Sequence, residues 1–153
     1  MKLLILAQNP KKIMNKKDPL KGTKSWTVLS RWLIEANVPG SHVELRNALS
    51  AVGDRSLTIT TVRNQVETRR WVPEIIEFPV IVCLGRIPEQ AVRFTREAFF
   101  PNVTSWDHFF LPHPSGLNRK LNDPETHLEA VETLKEAYKR LLTLKTYEAR
   151  IIG

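Results

Sequence analysis

The residues best suited to chemistry gather where short apolar runs end. Behind the run Asp107 to Leu111 stands Pro112-His113-Pro114-Ser115-Gly116-Leu117-Asn118-Arg119. A histidine between two prolines sits on a stiff loop, because each ring fixes its own φ and restricts the residue before it. A stiffly held donor can be aimed at charge as it develops. Ser115, Asn118 and Arg119 can grip phosphates, and Leu117 beside Gly116 is the kind of apolar wedge that enters a base stack. A lone histidine is more often structural, but this combination in one short loop is harder to explain that way.

A second such place follows the run Lys2 to Ala7. It reads Gln8-Asn9-Pro10 and continues through Lys11, Lys12, Lys16, Lys17, Lys21 and Lys24. A polar residue and a proline after a strand make an ordinary turn, and the lysines are either a solvated loop or a track for a phosphate backbone. A third is Arg46-Asn47-Ala48. The Asn47 amide offers a donor and an acceptor on adjacent atoms, which suits a pyrimidine edge, although asparagine at such a point is more often a turn or cap residue. Gly85 ends a further apolar run.

The elements that position these residues follow from periodicity. Lys2 to Ala7, His42 to Arg46, Pro79 to Leu84 and Asp107 to Leu111 read as strands, and the continuous apolar runs suit strands covered on both faces. Ser25 to Ala36 reads as a helix with Trp26, Leu29, Trp32, Leu33 and Ala36 inward, stopped by Pro39-Gly40. Thr60 to Arg70 is a weaker helix carrying Val62 and Val66. Pro88 to Phe99 reads as a helix with proline early and Ala91, Val92 and Phe94 inward. The last helix is expected from Pro124 to Lys145, capped by Asp123, with Leu128, Val131, Leu134, Tyr138, Leu141 and Leu142 as its apolar face. Alternating strands and helices predict a single α/β domain over residues 1–153, a three-layer α/β/α sandwich around a mainly parallel four-stranded sheet. Ligands of such sheets bind outside the carboxyl ends of the strands, where the four turns named above lie.

Composition sets outer bounds. The chain has 153 residues and a formal net charge of +7, which favours polyanion partners without proving one. Cys83 is the one cysteine and lies inside an apolar run, so a buried small hydrophobe is expected. Neither an internal disulfide nor a cysteine-rich metal site is available to it. His108 and His113 are close in sequence, but their loop lacks the acidic or cysteine partners of a metal site. No P-loop or Gly-x-Gly-x-x-Gly pattern occurs. The apolar N-terminal stretch is too short for a signal peptide, and no segment is long enough to span a bilayer. A cytoplasmic monomer is expected. Trp26, Trp32 and Trp71 are assigned to the core, with Trp106 ambiguous.

The segment Pro112 to Arg119 resembles the second signature of the uracil-DNA glycosylase superfamily, in which a His-Pro-Ser or Asn-Pro-Ser-Gly start precedes a leucine wedge. Its flavour is that of the mismatch-specific uracil and thymine enzymes. Leu4-Ile5-Leu6-Ala7-Gln8-Asn9-Pro10 resembles the first signature. Val43-Glu44-Leu45-Arg46-Asn47-Ala48 is similar to the strand whose final asparagine reads the pyrimidine, and Val80 to Gly85 looks like the third core strand.

The resemblance implies a DNA glycosylase that hydrolyses the N-glycosidic bond of a flipped-out uracil or modified pyrimidine, in single- or double-stranded DNA. It implies Asn9 and His113 as catalytic residues: Asn9 orients the water, and His113 donates to the carbonyl of the departing base. It places Gln8, Pro10, Leu20 and Asn47 around the base. Lys11, Lys12, Ser115, Gly116, Leu117, Asn118 and Arg119 would meet the DNA. No metal or cofactor is required. The chain departs from the pattern at Ala7, in place of glycine, at Lys11, in place of glycine or tyrosine, and at Leu20, in place of the phenylalanine that stacks on the base. Those departures keep two alternatives open: a glycosylase-fold protein that binds DNA or a modified base with little or no catalysis, and an enzyme of nucleotide or base modification using the same pocket.

Overall fold

A computed structural model describes residues 2–7, 24–47, 78–99, 102, 107–114 and 123–152. It is an α/β fold in which four strands form one parallel sheet. The strands are β1 (Leu3–Ala7), β2 (Val43–Asn47), β3 (Val80–Leu84) and β4 (Asp107–Leu111). Their order is β2-β1-β3-β4, parallel throughout. The helices are α1 (Lys24–Glu35), α2 (Arg86–Phe99) and α3 (Pro124–Ile152), with a short 3₁₀ turn at Gly40–His42 before β2. The expected helix Thr60 to Arg70 lies outside the described residues.

The central strands are buried at every position, as their unbroken apolar sequences require. Alternation divides their side chains between two faces. Leu3, Ile5 and Ala7 of β1 join Val80, Val82 and Leu84 of β3 and Leu111 of β4 in one core. Leu29, Trp32 and Leu33 of α1 and Ala130, Val131, Leu134, Ala137 and Leu141 of α3 complete it. Each fully buried aliphatic chain contributes about 1.5–3 kcal/mol, so this core is the main source of stability. The remaining β1 and β3 side chains, Leu4, Leu6, Ile81 and Cys83, are also buried. Helix α2 reaches that second side, where Arg96 Nη1 lies 2.9 Å from Nδ1 of His108, the sheet partner of Ile81.

Two expectations about the helices are corrected, and the expected first helix holds to within one residue at each end. Helix α1 stops before Pro39-Gly40. Asn37 adopts φ 57°, Asn37 N–H donates to Ile34 O at 3.1 Å, and Val38 N–H donates to Leu33 O at 3.0 Å. This is a left-handed terminus of the Schellman kind, which asparagine tolerates. Helix α3 runs past Lys145 to Ile152, because no glycine or proline interrupts it before Gly153. Leu128 and Leu142 face outward, at 63% and 41% exposure. Ala130 and Ala137 take their places, since residues 130, 134, 137 and 141 share one face at 3.6 residues per turn.

The remaining helix ends follow local chemistry. Asp123 Oδ1 accepts from Glu125 N–H at 3.0 Å, capping α3 as its sequence predicts. Helix α2 begins two residues before Pro88, which sits in the first turn where its missing N–H is not needed. Polar ties then orient α3. His42 Nδ1 meets the Tyr138 hydroxyl at 2.7 Å, Arg140 pairs with Asp107 at the start of β4, and His127 pairs with Glu35 at the end of α1.

Candidate functional site

The four strands finish at one edge of the sheet. Ala7 lies beside Asn47, Leu6 beside Cys83, and Leu84 beside Leu111. The β1–α1–β2 unit steps outward in one direction and β3–α2–β4 in the other. The reversal makes the carboxyl ends of β1 and β3 the topological switch point of the sheet, the place where ligands of such folds bind. Asn47 and His113, far apart in sequence, are therefore delivered to the same edge. The backbone of Asn47 closes β2, and His113 follows the end of β4.

Three inter-strand steps separate those ends, about 14 Å at the usual strand spacing. The seat of His113 shortens that gap. Its ring packs over Gly85 at the end of β3: a β-carbon built on Gly85 would lie 3.2 Å from His113 Cβ, 3.5 Å from Cδ2 and 3.7 Å from Cγ. The His113 side chain therefore stands against the end of β3, one strand nearer the switch point than its own strand. Gly85 N–H donates to Leu111 O at 2.8 Å, which ties the end of β3 to the residue before Pro112. Gly85 has φ +90°, a conformation natural to glycine. Pro112 and His113 are half-buried and Pro114 is buried, so a shielded, stiff loop presents the ring.

Other groups near this edge are chemically quiet or charged. Cys83, one turn of chain before Gly85, is wholly buried, and burial, aided by the Glu89 carboxylate, pushes its thiol up to about 12. It is therefore neither ionised nor accessible, which excludes it as a nucleophile at neutral pH. Arg86, exposed at the first position of α2, adds a positive charge directly after Gly85. Arg46 on β2 lies with its guanidinium carbon 5.3 Å from the Phe78 ring centre and pairs with Glu44. At the far end of β4, burial and the Arg96 guanidinium lower the proton affinity of His108.

Gln8, Asn9, Pro10, Lys11, Lys12, Leu20, Ser115, Gly116, Leu117, Asn118 and Arg119 lie outside the described residues, as do Trp71 and Trp106. Trp32 is buried as expected, and Trp26 is half-buried against the same core. No group of three or more metal-ligating side chains occurs among the described residues. No helix among them is long and apolar enough to cross a membrane. An open groove of about 430 Å³, lined by Trp26, Thr27, Ser30, Arg31, Ile34 and Glu35, follows α1. Its Glu35 pairs with His127 of α3.

The contact that sequence reasoning missed is the one between Gly85 and His113. A glycine directly after a buried strand was a visible turn signal, but its neighbour is contributed by the next strand and cannot be read from local pattern. Neither a protein-family model nor a curated protein matches the chain.

Proposed function

We propose that this protein is a monofunctional pyrimidine-DNA glycosylase built as a three-layer α/β/α sandwich of the uracil-DNA glycosylase type. The observation that carries the proposal is the seat of His113: a half-buried imidazole on a proline-braced loop, packed over Gly85 at the carboxyl end of β3. That position suits a donor to one flipped base. The edge shared by Asn47 and His113 supports a base held between the two sides.

In the proposed reaction the bond between the sugar C1′ and the base nitrogen breaks, and its electron pair leaves with the base. His113 donates a hydrogen bond to the base carbonyl, where negative charge accumulates. Asn9 orients a water toward C1′, and the proton that water loses is taken up by the departing base or by solvent. Asn47 pairs with the base edge. The Pro10 and Leu20 side chains line the base, and the Gln8 backbone holds a carbonyl. Lys11, Lys12, Ser115, Gly116, Leu117, Asn118 and Arg119 meet the DNA, with Leu117 filling the vacated stack. DNA affinity falls with added salt in proportion to the phosphates neutralised.

The test is release of free base from uracil-containing single strands, duplexes, mismatches and 5-modified pyrimidine substrates. The wild type is expected to yield free base and alkali-labile abasic sites. His113→Ala is expected to lower kcat by about 10²–10³, the usual loss for one preorganised donor. If no substrate in the panel yields base, the protein is not a glycosylase. Salt-sensitive DNA binding that survives Asn9→Ala and His113→Ala would then identify a binding protein.

A further inference from the structure

We propose that Gly85 is a positioning residue for His113: the missing side chain at the end of β3 is what seats the imidazole at the mouth of the sheet. The catalytic consequence rests on the glycosylase proposal above, while the contact itself stands on the geometry. A β-carbon at Gly85 would approach His113 Cβ to 3.2 Å. Ordinary carbon contacts begin near 3.5 Å, so one side must yield by about 0.3 Å.

His113 has little freedom to yield sideways. Pro112 and Pro114 flank it, and Pro114 is buried. Leu111 is fully buried, lies beside Leu84 in the sheet, and accepts the Gly85 N–H at 2.8 Å. The same hydrogen bond that holds the turn closed also holds the loop root against it. A side chain at position 85 therefore displaces the ring itself. Gly40 provides the contrast: a β-carbon there would meet nothing within 4 Å.

The experiment compares wild type, Gly85→Ala and Gly40→Ala by nitrogen-15 spectra of the histidine rings across a pH titration. The His113 signals are assigned by their loss in His113→Gln. Gly85→Ala is expected to shift the His113 ring signals while those of His42 and His127 stay in place. Gly40→Ala is expected to move none of them. Unmoved His113 signals in folded Gly85→Ala overturn the proposal.

The strained φ of position 85 lowers stability by itself, so a melting-temperature cycle separates the two effects. Gly85→Ala is expected to cost more in the wild-type background than in the His113→Gly background, where the opposing β-carbon is gone. Equal losses, or a failure to fold in both backgrounds alike, overturn the contact. In the base-release assay Gly85→Ala is expected to lower kcat about tenfold with KM within about twofold, as a sub-ångström misplacement of a donor does. An unchanged kcat overturns the catalytic consequence. A wild type that releases no base refutes the glycosylase proposal, and the ring signals still decide whether Gly85 positions His113.

Discussion

Alkylation of Cys83 tests the strand on which the whole site is hung. The thiol is 0% exposed in the middle of the sheet, and its pKa is pushed up to about 12 from 9.0. At about pH 8 a thiol with the higher value is ionised to about one part in 10⁴, against about one part in ten for the lower one. Only the thiolate attacks iodoacetamide, so the shift alone slows labelling about a thousandfold. A wholly buried thiol reacts only once the sheet opens, so the ratio of native to unfolded rates reads the opening equilibrium. Labelling is followed by mass spectrometry in buffer and in denaturing urea at the same pH. A native rate at least about 10³ below the unfolded rate is expected. A ratio under about tenfold refutes the placement of β3, and with it the turn that brings Gly85 under His113.

Three further outcomes test the framework. Tyr138→Phe removes the hydroxyl that meets His42 at 2.7 Å and is expected to cost about 1 kcal/mol, lowering the melting temperature by about 2–4 °C. Leu134→Ala empties a fully buried position between α3 and the sheet and is expected to cost about 2–5 kcal/mol, read as a lower urea midpoint with unchanged slope. Burial first, and then Arg96 and Arg93, hold the His108 imidazole below its ordinary 6.5 against the opposing pull of Glu89 and Asp107. The unfolded chain therefore takes up the proton first as pH falls below 6.5, and stability declines through the lower folded value. His108→Gln is expected to flatten that decline below about pH 6.5 and to leave the urea midpoint at about pH 8 little changed. An equally steep decline in the variant refutes the assignment.

The sequence by itself determined the kind of elements and their order. Leu3 to Ala7 and Val80 to Leu84 are short, continuously apolar runs that suit strands covered on both faces, and strand–helix alternation pointed to a parallel sheet. Asp123 announced the start of α3, because a cap acts within a few residues of itself. Local signals failed where competing local signals looked equally good. Leu128 and Leu142 are as apolar as Leu134, and only the direction from which the sheet meets α3 selects Ala130 and Ala137 for its buried face. Asn37 ended α1 ahead of the louder Pro39-Gly40 signal, since the left-handed turn let Val38 return to the core.

The site divides in the same way. The stiffness of Pro112-His113-Pro114 is a property of its own covalent rings and was legible without coordinates. Where that histidine rests was decided by the tertiary structure alone. The order β2-β1-β3-β4 and the register of β3 against β4 bring Gly85 beneath the ring. Such a contact joins residues whose proximity comes from strand pairing, and strand pairing depends on the summed burial of the whole sheet and not on the pattern of either segment.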